Sequence, residues 1–350
     1  MSIASTRLRY AQFFTVGLLS ISLWVASQSM TGEISQFNRN FWGSKFLVTS
    51  AVELKLALGD RVFPQALVAK EGWLEYTSGQ NLDGYQNAIR TRPDEFEELQ
   101  RKLRRFQREL QKRGISLVVV VSPNKATIYP DKLPDQLKKL TPKSKLDAFT
   151  DHIQQHGPPG VLVDLRPALL DGRKEQDVYY KTDTHWNDYG AFIAYKAIMQ
   201  QAAATYPQLT PKNIDDFQIT VTQPRLRDIP RTIGATYPLE SSTNFRSKQD
   251  NIKWLTYNND SIIPLSASVS PQKDLPRLVM YMDSFGEKMT KFIAPHFSEA
   301  VFIKVDSDYP SLLTFEALEV FKPNVVIIEI VERSFNVEIL DSFLEHFLGK

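Results

Sequence analysis

Apolar positions along the chain fall into two recurring patterns. Five short runs are almost continuously apolar and rich in β-branched residues: 115–121 (ISLVVVV), 161–165 (VLVDL), 278–282 (LVMYM), 301–305 (VFIKV) and 325–331 (VVIIEIV). Such runs suit strands buried on both faces of a parallel sheet, where neither face meets water. Helical patterns lie between several of them. After Pro93, with Asp94 and Glu95 in the first turn, apolar residues recur at Phe96, Leu99, Leu103, Phe106 and Leu110 ahead of Gly114. That spacing draws one helix face. Residues 189–204 and 311–321 repeat the helical pattern, and 52–58 reads as a further helical run. Gly72, Trp73, Leu74 and Tyr76 read as a short strand and turn. Strand and helix in alternation predict an α/β fold of three layers, a mostly parallel sheet between helices. In such a sheet, ligands bind beyond the C-terminal ends of the strands.

Two stretches break the pattern. Residues 214–273 are rich in Thr, Ser, Asn, Asp and Pro without long periodicity, and read as an irregular insertion with short strands at 217–221 and 253–257. An insertion near the site can serve as a lid. At the N-terminus, residues 11–32 carry no charge, 13–26 (FFTVGLLSISLWVA) are almost wholly apolar or small, and Arg7 and Arg9 precede them. This is the layout of an export signal. Residues 1–32 are therefore expected to be a signal anchor or a cleaved signal peptide, with the arginines holding the N-terminus in the cytoplasm and 33–350 forming one extracytoplasmic domain.

Composition narrows the chemistry. With 42 Lys plus Arg against 40 Asp plus Glu in 350 residues, the formal charge is +2, which argues against a dedicated nucleic-acid binder. The charged residues of the 93–111 helix read as a solvated face. There is no cysteine, so thiol catalysis and cysteine-ligated metal centres are excluded. No repeat and no nucleotide-binding glycine pattern is present.

Two segments carry chemistry. Asp283-Ser284-Phe285-Gly286 follows the buried run 278–282 directly, and a serine where a strand turns into a helix presents its hydroxyl beside backbone N–H groups able to hold an oxyanion. Asp183-Thr184-His185-Trp186-Asn187-Asp188 precedes a helix that Asp188 would cap, with Trp186 and Tyr189 as packing residues. Of five histidines, His185 alone has a carboxylate two residues earlier in a polar, turn-like setting. A serine hydroxyl needs a base, and an imidazole base needs an acid to fix its tautomer. The other readings stay open here. Asp283 and Ser284 fit the cap of the following helix equally well, and Asp183 with His185 fits a pair of metal ligands that would require further histidine-bearing motifs.

The segments GWLEYTSG, VVVVSPNKATIYPDKLP, VDLRPALL, VYYKTDTHWNDYGAFIAY, MYMDSFG and VVIIEIVERS, in this order from about Leu58 to Ser334, resemble the SGNH-hydrolase-like O-acetyltransferases of exopolysaccharide modification, the alginate O-acetyltransferase AlgJ/AlgX type. The resemblance implies a flavodoxin-like SGNH fold whose acid and base precede the serine, as though circularly permuted. It implies Ser284 as nucleophile, His185 as base and then acid, Asp183 as orienter, and neither metal nor cofactor. Where that family's hydrolase relatives carry a glycine before Asp-Ser, this chain has Met282, which leaves the oxyanion donors open. Asn124 and Lys125, after one buried run, and Arg333, after another, are candidates for oxyanion or substrate contact. The implied partners are a polysaccharide acceptor, a membrane-bound acyltransferase that supplies acetyl groups, and the membrane itself through the N-terminal segment. The sequence ends soon after Arg333 with no carbohydrate-binding module following, as in the anchored single-domain form. A carbohydrate acetylesterase with the same triad, and a non-catalytic polysaccharide-binding or assembly factor, are the competing expectations.

Overall fold

The computed structural model describes residues 44–79, 81–88, 92–249, 252–255, 265–305, 313–335 and 337–349. The expected N-terminal signal segment, and parts of the 253–257 strand and the 311–321 helix, lie outside them. Among the described residues no helix is long and apolar enough to cross a membrane. Residues 44–60 group with 234–236 as one compact unit, and the remainder forms a second. The first contains helix α1 (Ser44–Ala57).

The second unit opens with a small antiparallel sheet of β1 (Val62–Phe63), β2 (Ala66–Val68) and β3 (Leu74–Tyr76). Helix α2 (Pro93–Gln111) follows, then strand β4 (Ser116–Ser122), helix α3 (Lys145–His156), strand β5 (Leu162–Asp164) and helix α4 (Asp188–Ala203). Next come β6 (Phe217–Val221), the short helix α5 (Asp228–Ile233), β7 (Thr243–Ser247), β8 (Lys253–Leu255) and β9 (Leu265–Val269). Strand β10 (Arg277–Met282), the one-turn helix α6 (Ser284–Glu287), β11 (Glu299–Lys304), α7 (Phe315–Phe321), β12 (Val325–Val331) and α8 (Val337–Leu348) complete it.

The main sheet has seven strands in the order β5-β4-β12-β10-β11-β9-β8. The first five are mutually parallel, while β9 and β8 join antiparallel at one edge. All five apolar runs are strands of the parallel part. Side chains alternate across a strand, and here the alternation feeds two cores. Val118, Val120, Met280 and Ile327 pack with α4 on one face. Leu117, Val119, Val121, Val279, Tyr281 and Ile328 pack with α2, α3 and α8 on the other. The five apolar positions expected along α2 are all buried in that second core, each worth about 1.5–3 kcal/mol of removed apolar surface.

Two details differ from the sequence reading. The insertion is less irregular than expected, since β9 extends the main sheet and β6 pairs with β7 as a separate hairpin. And Asn187, not Asp188, caps α4: its side chain accepts the Gly190 N–H at 2.9 Å, while Asp188 begins the helix and pairs with Lys291.

Candidate active site

Parallel strands end together, so β4, β10 and β12 bring Ser122-Pro123-Asn124, Asp283-Ser284 and Glu332-Arg333 to one edge of the sheet. Ser284 is the first residue of α6, immediately after the buried strand β10. Asp283 caps it: Oδ1 accepts the Phe285 N–H at 2.8 Å, and Oδ2 accepts the Val331 N–H of β12 at 2.7 Å. The capping reading of Asp283 is therefore right, and it leaves the Ser284 hydroxyl free for other work. Glu329, buried inside β12, takes the Asp283 and Gly286 N–H groups on Oε2 at 3.1 Å each and the Ser122 hydroxyl on Oε1 at 2.5 Å. The approach is so close that a Cβ on Gly286 would lie 2.8 Å from Glu329 Oε2 and nearer still to Met282 Cβ, so only glycine fits.

The second half of the site is the loop ahead of α4. Its ends meet in a bridge between Tyr179 and Trp186. Trp186 is fully buried, with its ring 5.1 Å from that of Phe285. This packing brings the loop onto the turn that carries Ser284. His185 Nε2 lies 2.9 Å from Ser284 Oγ, and His185 Nδ1 lies 2.8 Å from Asp183 Oδ1. Asp183 also accepts the His185 backbone N–H at 3.1 Å. Burial works to raise the Asp183 carboxyl, but the hydrogen bond and charge of His185 hold it down at about 2. An ionised carboxylate on Nδ1 fixes that nitrogen as the N–H, which leaves Nε2 to accept the proton of the serine hydroxyl.

Three charged side chains grip this loop from outside it. Lys125 is buried, and its ammonium donates to the carbonyls of Asp183 at 2.8 Å, Lys181 at 3.2 Å and Tyr180 at 3.4 Å. Burial pushes its pKa down, opposed by the charges of Glu75, Asp228, Asp183 and Glu240. Glu240 accepts the N–H groups of Lys181 and Thr182 at 3.0 and 2.7 Å. Asp228 accepts the Thr184 N–H at 2.9 Å and the Thr184 hydroxyl as well. Of the three oxyanion or substrate candidates, Lys125 thus spends its three donors behind the loop. Asn124 is buried, gives its N–H to Glu332 at 2.8 Å and accepts the Arg333 N–H at 3.2 Å. Arg333 is half-buried, with its guanidinium over the rings of Phe285 and Tyr76 at 5.2 and 5.6 Å. Lys288, one turn beyond Ser284, lies over the Tyr180 ring at 5.5 Å and has its pKa lowered by burial.

Asp228 and Glu329 escaped the sequence reading. Glu329 left a signal, a carboxylate inside a strand otherwise buried on both faces. Asp228 left none. Asp183, His185 and Asp228 are also the group among the described residues that could hold a metal ion, with ligand atoms within 4.8 Å of one another. Both imidazole nitrogens are, however, already engaged by Asp183 and Ser284, an arrangement suited to moving a proton along a serine–imidazole–carboxylate line.

A profile described as the SGNH hydrolase-like domain of the acetyltransferase AlgX matches residues 66–270, more than half of the chain. The chain belongs to this SGNH-hydrolase-like family, of the AlgJ/AlgX type. A probable alginate O-acetylase AlgJ of Pseudomonas aeruginosa is 31% identical over 137 residues, which are 37% of this chain and 30% of that protein. The match therefore spans under a third of that relative's length. Among solved structures, PatB1 of Bacillus cereus is similar with a TM-score of 0.57 at 15% identity, over 78% of this chain and 98% of that one. A DHHW family protein of Eubacterium siraeum is similar with a TM-score of 0.55 at 17% identity, over 83% and 98%. These two show the shared fold.

Proposed function

We propose that the protein is an extracytoplasmic O-acetyltransferase that acetylates hydroxyls of an exopolysaccharide through an acetyl-serine intermediate. The observation that carries this reading is the unbroken line Ser284 Oγ, His185 Nε2, His185 Nδ1, Asp183 Oδ1, with gaps of 2.9 and 2.8 Å outside the ring. Ser284 Oγ attacks the acetyl carbonyl of a donor while His185 Nε2 takes the hydroxyl proton. The tetrahedral intermediate collapses, the donor's oxygen departs with that proton, and the acetyl group remains on Ser284. A sugar hydroxyl then gives its proton to the same nitrogen and attacks the acetyl-serine; collapse returns the proton to Ser284 Oγ and releases the acetylated sugar. Asp183 holds the tautomer and offsets the imidazolium charge in both halves. The Asn124 side-chain amide and the Arg333 guanidinium are the proposed oxyanion and substrate contacts.

The apolar N-terminal run, preceded by Arg7 and Arg9, supports an anchor or export signal and hence a domain outside the cytoplasmic membrane, served by a membrane-bound acyltransferase that passes acetyl groups across. Acid and base precede the nucleophile in the chain, in keeping with a permuted order of the family's motifs. Residues 33–350 are read as the catalytic domain, with 214–273 as an insertion that grips the base-bearing loop.

Incubation with an activated acetyl ester and an oligosaccharide, measuring acetylated sugar and free acetate, tests the reaction. Wild type is expected to yield acetylated sugar, and Ser284→Ala and His185→Ala to lose at least about a thousandfold in rate. Release of acetate alone, unaffected by sugar, would make the protein an esterase with the same triad.

A further inference from the structure

The Nδ1 side of His185 faces more than one carboxylate. Besides Asp183 at 2.8 Å, the Thr184 hydroxyl oxygen lies 3.1 Å from Nδ1 and Asp228 Oδ2 lies 3.6 Å from it. The Thr184 hydroxyl donates its own proton to Asp228 Oδ2. Its remaining lone pairs are therefore turned toward the imidazole N–H, and the carboxylate polarises the hydroxyl into a better acceptor. Asp228 is held in place twice over, by the Thr184 N–H on its other oxygen at 2.9 Å and by the next residue of α5, whose Ile229 N–H donates to the Thr182 carbonyl at 3.3 Å.

We propose that Asp228 is a positioning residue for the base, acting through the Thr184 hydroxyl to hold the His185 N–H and to share with Asp183 the positive charge that forms on the ring. This rests on the reading of His185 as the base. Asp228 reaches the site from the aperiodic stretch between α4 and β10, which gives that stretch a part in the chemistry beyond covering it. Burial and the neighbouring Asp183 charge raise the Asp228 carboxyl, while Thr184 and His185 pull it down. The charged groups around the pair are Asp183, His185 and the Lys125 ammonium, with the Lys288 charge acting on Asp183. An imidazolium between two carboxylates would be easier to form, and would be held in one plane by two acceptors in place of one.

Asp228→Asn separates this role from mere support. The amide keeps the shape and can still accept the Thr184 N–H. Its NH2, however, donates to the Thr184 hydroxyl and turns that hydroxyl's proton toward His185 Nδ1, against the N–H already there. With the acetyl ester and oligosaccharide as substrates, Asp228→Asn is expected to lower kcat about tenfold or more with KM nearly unchanged, and to move the acid limb of the kcat profile to lower pH. Thr184→Val should follow it, and Thr184→Ser should stay near wild type. Ser284→Ala is the control for the reading beneath. If Ser284→Ala is inactive while Asp228→Asn keeps the wild-type kcat and pH profile, the role of Asp228 is overturned and the triad stands. Loss of rate with an unmoved acid limb overturns it too, because loosening of the loop alone would give that result. An active Ser284→Ala overturns the triad and this inference together.

Discussion

Ser284 stands on a turn whose backbone N–H groups would be left without partners in a dry strand end if Glu329 were absent. Burial, followed by the charge of Asp283, raises the Glu329 carboxyl well above the usual range, while its two oxygens take the Asp283 and Gly286 N–H groups and the Ser122 hydroxyl. Glu329→Ala orphans three buried donors at about 1–3 kcal/mol each. It should lower unfolding stability in urea by roughly 3 kcal/mol or more. Glu329→Gln keeps a carbonyl oxygen on the Asp283 and Gly286 N–H groups and sets an NH2 against the Ser122 hydroxyl oxygen, which can turn to accept it. It should cost under about 1 kcal/mol and keep most of the activity. At this scale the sequence marks candidates by residue type, a serine after a buried strand and a histidine two residues after an aspartate, and the fold brings them within 2.9 and 2.8 Å of one another. The sequence is silent where the role comes from distance in the chain. Asp228 lies 44 positions from its partner Thr184, and nothing in its own neighbourhood marks it.

Strands buried on both faces were legible because burial itself dictates composition, and all five apolar runs became strands with boundaries shifted by no more than two residues. Strand β9 (LSASV) is not legible in the sequence, because two serines and an alanine between its end residues lack the β-branched run, and its conformation is owed to pairing with β11 on one side and β8 on the other. The sequence favours Asp188 over Asn187 as the cap of α4, one residue late, for a similar reason. Asn187 and Asp188 are both good caps in isolation, and the choice follows from the Tyr179–Trp186 bridge, which fixes where the chain enters the helix. Gly190 shows how tight that entrance is: a Cβ there would run into the Val178 carbonyl oxygen and lie 3.0 Å from Trp186 Cβ. The insertion matters to the site through its two carboxylates, Asp228 and Glu240, which no periodicity could have foretold.

For the molecule as a whole, stability and chemistry depend on pH through different groups. His296 is buried, with its Nε2 2.7 Å from the Tyr195 hydroxyl oxygen, which accepts the Lys212 N–H at 2.7 Å. Burial, aided by the Lys212 charge, lowers the His296 pKa to about 4. The unfolded chain takes up this proton near pH 6.5 and the folded chain only near 4, so the stabilisation is complete above about pH 6.5 and declines as pH falls toward 4. Between pH 7 and 4.5 this amounts to roughly 2–3 kcal/mol. Urea titrations at the two pH values should show that loss, and His296→Gln, whose amide oxygen accepts from Tyr195 without titrating, should remove most of it. The central claim concerns covalent chemistry at one atom. Brief exposure to an activated acetyl ester, acid quenching and peptide mass spectrometry reads it directly. The expected result is a single acetyl group on the peptide carrying Ser284, absent in Ser284→Ala and discharged when oligosaccharide is added before the quench. Acetylated sugar formed at the wild-type rate by Ser284→Ala, or an acetyl group that accumulates on another residue and is discharged by sugar, would contradict it.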